Sequence, residues 1–220
     1  MKKILIRFFN KLNRFIIASQ LNAPFLNGNT KYVEIVEFIS SKKLKLGLDL
    51  GSGPNPKNLF NVENLLGVDI RSYEINMNVY KCDLSQEALP FPDSHFDCIT
   101  AFDLLEHIPR VVTKDNSVQN PFVNLMNEIW RILKEDGYFF ASSPCYPMKE
   151  AFQDPTHVNI MTEDTVKMYF CNNYWARIYG FEGSFEYIQD GWKNGTHHFF
   201  LIKKTSNNRI INKDTSIQIQ

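Results

Sequence analysis

The chain has 220 residues, enough for one globular domain with short extensions and a core that needs no disulfides. Hydrophobic residues make up 44% and charged residues 22%, an ordinary globular balance, and 24 basic residues match 24 acidic ones. The neutral total excludes a surface that is basic all over for gripping nucleic acid, and no apolar run approaches the ~18 residues of a membrane span.

The charge is unevenly placed. Lys2, Lys3, Arg7, Lys11, Arg14 and Lys31 all precede the first acidic residue, Glu34, so a leader of +6 precedes a body of −6. Within residues 1–20, Ile4, Leu5, Phe8, Leu12, Phe15 and Ile16 recur at helical spacing with the bases between them. This predicts an amphipathic helix in a basic extension over 1–29. Its expected partner is its own domain, another subunit or an anionic membrane surface. Arg7, Asn10 and Lys11 interrupt the apolar stretch and no small-residue cleavage site follows, so it makes a poor signal peptide. The four scattered cysteines, Cys82, Cys98, Cys145 and Cys171, form no metal-ligand spacing and read as free thiols of a reducing cytoplasm.

After a loop over 21–29, residues 30–43 predict a helix with Tyr32, Val33, Val36 and Ile39 inward, acids early and Lys42 and Lys43 late. Short apolar runs then predict strands at Leu46–Leu50, Leu65–Ile70, Val79–Cys82 and Phe96–Phe102. A helix over 121–133 starts with Asn120 as N-cap and Pro121 at N1, and carries Phe122, Leu125, Met126, Ile129, Trp130 and Leu133 on one stripe. Asp136-Gly137 turns into a fifth strand, Tyr138–Ser142. Thr162 caps a further helix over 163–171, and Phe185–Ile188 with His198–Ile202 form a closing strand pair. Residues 205–220 read as a polar tail, which leaves 30–204 as one domain. Short buried strands alternating with helices predict an α/β fold with a mostly parallel sheet and helices on both faces.

The segment Leu48-Asp49-Leu50-Gly51-Ser52-Gly53-Pro54-Asn55-Pro56 carries the chemistry. It runs a strand into glycines and a predicted helix start, which in such a sheet is the ligand crevice. Asp69 ends the next strand twenty residues after Asp49, the spacing of a carboxylate that grips ribose hydroxyls. A nicotinamide dinucleotide or S-adenosylmethionine would fit that pattern. The dinucleotide needs a third glycine and phosphate-facing N–H donors, whereas Pro54 and Pro56 remove two such donors. A sulfonium cofactor without phosphates is indifferent to that loss.

Here the chain resembles class I S-adenosylmethionine-dependent methyltransferases, and within them the ubiquinone/menaquinone-type group. LDLGSGP (48–54), Gly67-Val68-Asp69-Ile70, Cys82-Asp83-Leu84 with the LPFPD segment after it, and FDLLEHIP (102–109) with NEIWRILKEDGYFFASSP carry the resemblance, over roughly 45–145. It implies a Rossmann-like seven-stranded sheet. It also implies that Asp49 serves the methionine ammonium, that the Gly51, Ser52 and Gly53 backbone makes room for the amino-acid part, and that Asp69, followed by Ile70, holds the ribose. Asp83 would then accept from the adenine amine beside Leu84, and Ala101, Phe102 and Asp103 would follow strand four along the methionine side. Asn55 stands where the family has a third glycine, and asparagine tolerates left-handed backbone.

Methyl transfer chiefly needs the nucleophile in position, with a base added for a hydroxyl acceptor. His107, after Glu106 at the end of strand four, and His157, in Asp154-Pro155-Thr156-His157, are the candidate catalytic residues. The latter segment resembles those of bacterial methyltransferases tied to glycan synthesis, so a small-molecule or glycan hydroxyl is the expected acceptor. Phe102, Tyr146, Phe152 and Tyr169 are candidates for its pocket. His197 and His198 point to opposite faces of a strand and are assigned no role. Asp97 reads as framework and Glu106 as a cap or a local pair. No metal is expected. The rival class is a non-catalytic scaffold that binds the cofactor. A nucleic-acid or protein methyltransferase is weaker, since AFDLLEH lacks the Pro-Pro-aromatic motif for a flipped base, and a nicotinamide oxidoreductase is weaker still.

Overall fold

The computed structural model describes residues 28–74, 77–114 and 116–206. The leader helix predicted over 1–20 and residues 207–220 of the tail lie outside the described residues.

The elements run α1 (Gly28–Ser40), β1 (Leu46–Leu50), β2 (Asn64–Asp69), β3 (Val79–Lys81), β4 (Phe96–Phe102), a small hairpin of β5 (Val112–Lys114) and β6 (Ser117–Gln119), α2 (Pro121–Ile132) and β7 (Leu133–Pro144). There follow α3 (Glu150–Gln153), α4 (Asp164–Val166) with a π turn over Lys167–Asn172, a 3-10 turn over Trp175–Tyr179, β8 (Phe185–Lys193) and β9 (His197–Lys204). Seven strands form the sheet in the order β3-β2-β1-β4-β7-β9-β8. β9 is antiparallel to both of its neighbours and the other pairings from β3 to β7 are parallel. The strand order reverses between β1 and β4, which opens a crevice at their carboxyl ends.

Strand periodicity splits the core in two. Cys98, Phe140, Phe199 and Leu201 face Ile35 and Ile39 of α1 together with Phe60 and Val62. Their neighbours Ile99, Ala101, Phe139, Phe200 and Ile202 face the opposite way, against the stripe of α2. Helices therefore cover both faces, as predicted.

Several details depart from the sequence reading. Among the described residues no helix follows Gly53. Pro56 biases Asn55 away from helical backbone, and the two prolines supply no N–H for a first turn. Residues 54–62 form an irregular loop instead, and Asn55 is not in the left-handed region; Gly51 and Gly53 are, at φ 65° and 60°. In α1 the inward residues include Ile35, while Val33 is 50% exposed. The helix stops at Ser40, and Lys43 turns left-handed at φ 52°. Asn120 precedes α2 with Pro121 at N1, yet its side chain makes no capping bond. The helix predicted over 163–171 becomes α4 and the π turn, without a side-chain cap from Thr162. The closing strands are longer than predicted. Thr205, assigned to the tail, is buried and bonded through its N–H to the Ser184 carbonyl and through its hydroxyl to Ser184 Oγ.

Candidate active site

The glycine loop closes over the end of β2. Ser52 N–H donates to the Val68 carbonyl at 3.0 Å, and Gly53 N–H to Asp69 Oδ2 at 3.0 Å. Gly67 makes this approach possible: a Cβ there would overlap Ser52 Oγ and stand 2.7 Å from Pro56 Cγ. Asp49, 1% exposed, anchors the same loop from below. Its Oδ1 accepts from Thr100 Oγ at 2.7 Å and its Oδ2 from Lys57 N–H at 2.8 Å. Burial pushes its pKa up, against those two hydrogen bonds. Asp49 therefore shapes the loop, with each of its oxygens accepting from a protein donor.

Asp69 accepts four hydrogen bonds: from Gly53 N–H, from Arg71 N–H and Nε, each at 3.0 Å, and from the Tyr73 hydroxyl at 3.2 Å. Burial alone would raise its pKa, but the Arg71 and Gly53 donors hold it below the usual value. Asp83 accepts from Ser85 N–H and Oγ and from Gln86 Nε2, while Leu84 packs into the core. Ala101 lies inside β4 with its methyl fully buried, so it does not follow the strand as expected; only Asp103 does.

These residues fit S-adenosylmethionine. No atom lies within 4 Å of where a Gly53 Cβ would be, so its backbone is open to a ligand. Ile70, 60% exposed, offers an apolar face beside the Asp69 carboxylate. The exposed Arg71 partner is the kind of ion pair worth only ~0–1 kcal/mol, so ribose hydroxyls can take its place.

Beyond the loop, a cavity of about 470 Å³ opens at the ends of β4, β7 and β9, with Tyr32, Lys57, Phe102, Asp103, Lys193 and His197 in its wall. Asp103 is left-handed at φ 51°, and its Oδ1 pairs with His197 Nε2 at 3.1 Å. The hydrogen bond between them raises the pKa of His197 and lowers that of Asp103. Sequence reasoning gave His197 no role. The only available signal was parity, which correctly placed His198 on the other face, where its Nε2 meets Asp190 Oδ2 at 3.0 Å. Of the aromatic candidates Phe102 lines this cavity, Tyr169 lines a separate one of about 310 Å³, and Tyr146 and Phe152 meet edge to face on the surface.

His107 and His157, fifty residues apart, lie side by side with ring centroids 4.9 Å apart. His157 Nδ1 is 3.1 Å from the Ala151 carbonyl, which can only accept, so Nδ1 carries the proton. Thr156 Oγ gives its own proton to Asp154 Oδ1 at 2.6 Å. It is therefore an acceptor for His107 Nδ1 at 3.1 Å, alongside the Thr156 carbonyl at 3.3 Å. Both imidazoles thus donate from Nδ1, and His157 Nε2 faces Asp154 Oδ2 at 4.0 Å. Between their backbones lies Glu106, 1% exposed, whose carboxylate oxygens make no hydrogen bond of good geometry although the Ser143 hydroxyl lies close by. Burial raises its pKa, against its own backbone N–H and the Ser143 hydroxyl. Asp97 does act as framework, accepting from Lys45 and Leu46 N–H and pairing with Lys134 Nζ. The four cysteines are buried thiols, with burial pushing Cys82 up to about 11 and Cys98 and Cys145 to about 12.

The sheet order, the glycine loop and the acids at successive strand ends define a class I, Rossmann-like methyltransferase fold. Residues 27–199 match the model of the family described as Methyltransferase domain, and the chain belongs to that family. It is an S-adenosylmethionine-dependent methyltransferase. No curated protein matches the sequence. Among solved structures it is similar to a protein from Bacillus halodurans, at 14% identity and TM-score 0.53 over 80% of this chain and all of that one. It is also similar to a SAM-dependent methyltransferase from Archaeoglobus fulgidus (16%, 0.51, 87% and 99%). A third, from Aquifex aeolicus, shares 14% identity at TM-score 0.51, covering 77% and 89%.

Proposed function

We propose that the chain methylates a hydroxyl oxygen of a small-molecule or glycan acceptor. The observation that carries this reading is the His107–His157 pair: two imidazoles in contact, each with Nδ1 tied to a backbone carbonyl, and with Asp154 facing Nε2 of His157 at 4.0 Å. An imidazole held through Nδ1 acts on a hydroxyl through Nε2 when the ring is neutral. The neighbouring cavity supports it, because the rings of Tyr32 and Phe102 beside Lys57, Asn58 and Asn194 combine an apolar platform with polar groups, as a sugar ring requires.

S-adenosylmethionine supplies a methyl group already activated by its sulfonium. The Gly51–Gly53 backbone and Ser52 receive the amino-acid part, Asp69 the ribose, and Ile70, Asp83 and Leu84 the adenine. Phe102 and Asp103 border the methionine side, and His107 and His157 act on the acceptor oxygen. The domain spans 28–205, from the start of α1 to the buried Thr205, and its four free thiols agree with a cytoplasmic location. Among the described residues no helix is long and apolar enough to cross a membrane. A contact of residues 1–20 with a membrane surface or subunit remains part of the proposal, tested by liposome sedimentation with and without residues 1–25.

The test pairs calorimetric titration of S-adenosylmethionine with transfer of labelled methyl to a panel of hydroxylated small molecules and glycans. His157→Ala and His107→Ala each lower turnover by ~10²-fold or more while leaving cofactor affinity within a few-fold. Cofactor binding with no transfer to any acceptor overturns the enzymatic reading in favour of a scaffold. Transfer to amines alone overturns the hydroxyl.

A further inference from the structure

We propose that Glu106, His107 and His157 form a binding site for one divalent first-row transition-metal ion. One carboxylate oxygen and one nitrogen from each imidazole lie within 4.8 Å of one another. Two imidazoles and a carboxylate are the protein ligands of an open catalytic zinc site, and the same donor set serves non-haem iron. Bonds of ~2.0–2.2 Å draw such ligand atoms closer together than that ceiling, a movement that side-chain rotation supplies.

Three independent features select these residues over a chance cluster. Glu106 is the first. A carboxylate 1% exposed with no well-formed hydrogen bond to either oxygen, and only the Ser143 hydroxyl nearby, is costly unless something else satisfies it, and a cation does so directly. The second is the tautomers. In metal-bound histidines the nitrogen away from the metal donates to a carbonyl or carboxylate, which fixes the ring and leaves the other lone pair for the ion. His157 has its Nδ1 on the Ala151 carbonyl and His107 its Nδ1 on Thr156, which is itself held by Asp154, and Asp154 Oδ2 stands 4.0 Å from Nε2 of His157. The third is backbone anchoring. The Glu106 carbonyl accepts from Val158 N–H and Asn159 N–H at 2.9 Å each, and Asn159 Nδ2 donates to the Leu105 carbonyl at 2.9 Å. These bonds clamp the loop bearing His157 onto the turn bearing Glu106 and His107, so the three ligands are preorganised by groups that are not ligands.

The site follows directly on Asp103, which lines the acceptor cavity. An ion there with an open coordination position would take the acceptor oxygen and acidify its hydroxyl. That role rests on the hydroxyl-acceptor reading; the binding site does not.

The test uses cobalt(II) alone, added to chelator-treated full-length protein without S-adenosylmethionine and read by visible absorption. One equivalent per chain should give ligand-field bands that zinc(II) then bleaches. Glu106→Gln and His157→Ala should each weaken cobalt binding by at least about tenfold, while His95→Asn, outside the site, leaves it unchanged. Zinc(II) should also raise the melting temperature of the wild type and not that of Glu106→Gln. Absent bands in the wild type, or equal affinity in both ligand variants, overturns the site. A variant that fails to fold rescues nothing, because the wild-type spectrum is decisive by itself. Loss of the metal site with intact cofactor titration leaves methyl transfer standing. Cobalt binding without methylation of any hydroxyl keeps the site and removes the acceptor.

Discussion

Gly67 and Asp69 stand two residues apart on β2 and serve the cofactor loop by opposite means, one through a missing side chain and the other through a charged one. Gly67→Ala would drive a methyl into Ser52 and Pro56, both parts of the loop. Overpacking of this kind costs about 1–3 kcal/mol. It should lower the melting temperature and weaken S-adenosylmethionine affinity together, checked by calorimetry of both. Asp69→Ala should abolish most of the affinity while disturbing the fold less, because one of its four partners, the Arg71 side chain, is exposed. The Asp103–His197 pair predicts a pH dependence. Asp103 is lowered, so its contribution is present above the unfolded value near 3.8 and fades as pH falls through its folded pKa. His197 is raised, so its contribution is complete below the unfolded value near 6.5 and is lost as pH rises through its folded pKa. The stability gap between wild type and His197→Asn should therefore be widest between about pH 4 and 6.5 and close at higher pH, as thermal melts across that range would reveal.

At the scale of elements, β1, β4 and the loop after β1 are joined by one buried carboxylate. Asp49 takes a donor from Thr100 on β4 and another from Lys57 in the loop. Thr100→Val leaves one oxygen of that carboxylate without its donor, at a cost of about 1–3 kcal/mol. The variant should melt earlier and bind the cofactor less tightly through a loosened loop. The loop itself replaces the helix expected after Gly53. Pro54 and Pro56 already told against a dinucleotide, and they also tell against the helix. The same two residues were thus legible for the ligand before they were read for the fold.

For the whole molecule, Phe140 is the junction of the α1 side of the core. It is fully buried and its ring meets those of Tyr32, Phe60, Phe102 and Phe199. Tyr32 and Phe102 also line the cavity, so packing and site share a wall. Phe140→Ala should cost ~3–5 kcal/mol in denaturant melts, with loss of activity appearing even where the chain stays folded. Trp130→Ala, on the opposite side of the sheet, should destabilise without that separate effect on the cavity.

The sequence by itself determined the α/β class, the boundaries of β1 and β4 to the residue, and the placing of Asp49, Asp69 and Asp83 at or near strand ends. All of these depend on contacts within a few residues: apolar period, glycine position, and one strand's distance from the next. The tertiary structure alone decided that His107 meets His157 beside the buried Glu106, and that His197 faces Asp103. β9 runs backwards beside β7, pairing His197 with Pro144, and so returns the chain to the crevice ninety-four residues after Asp103. A local pattern cannot encode such a meeting, because it is set by which strands become neighbours in the sheet.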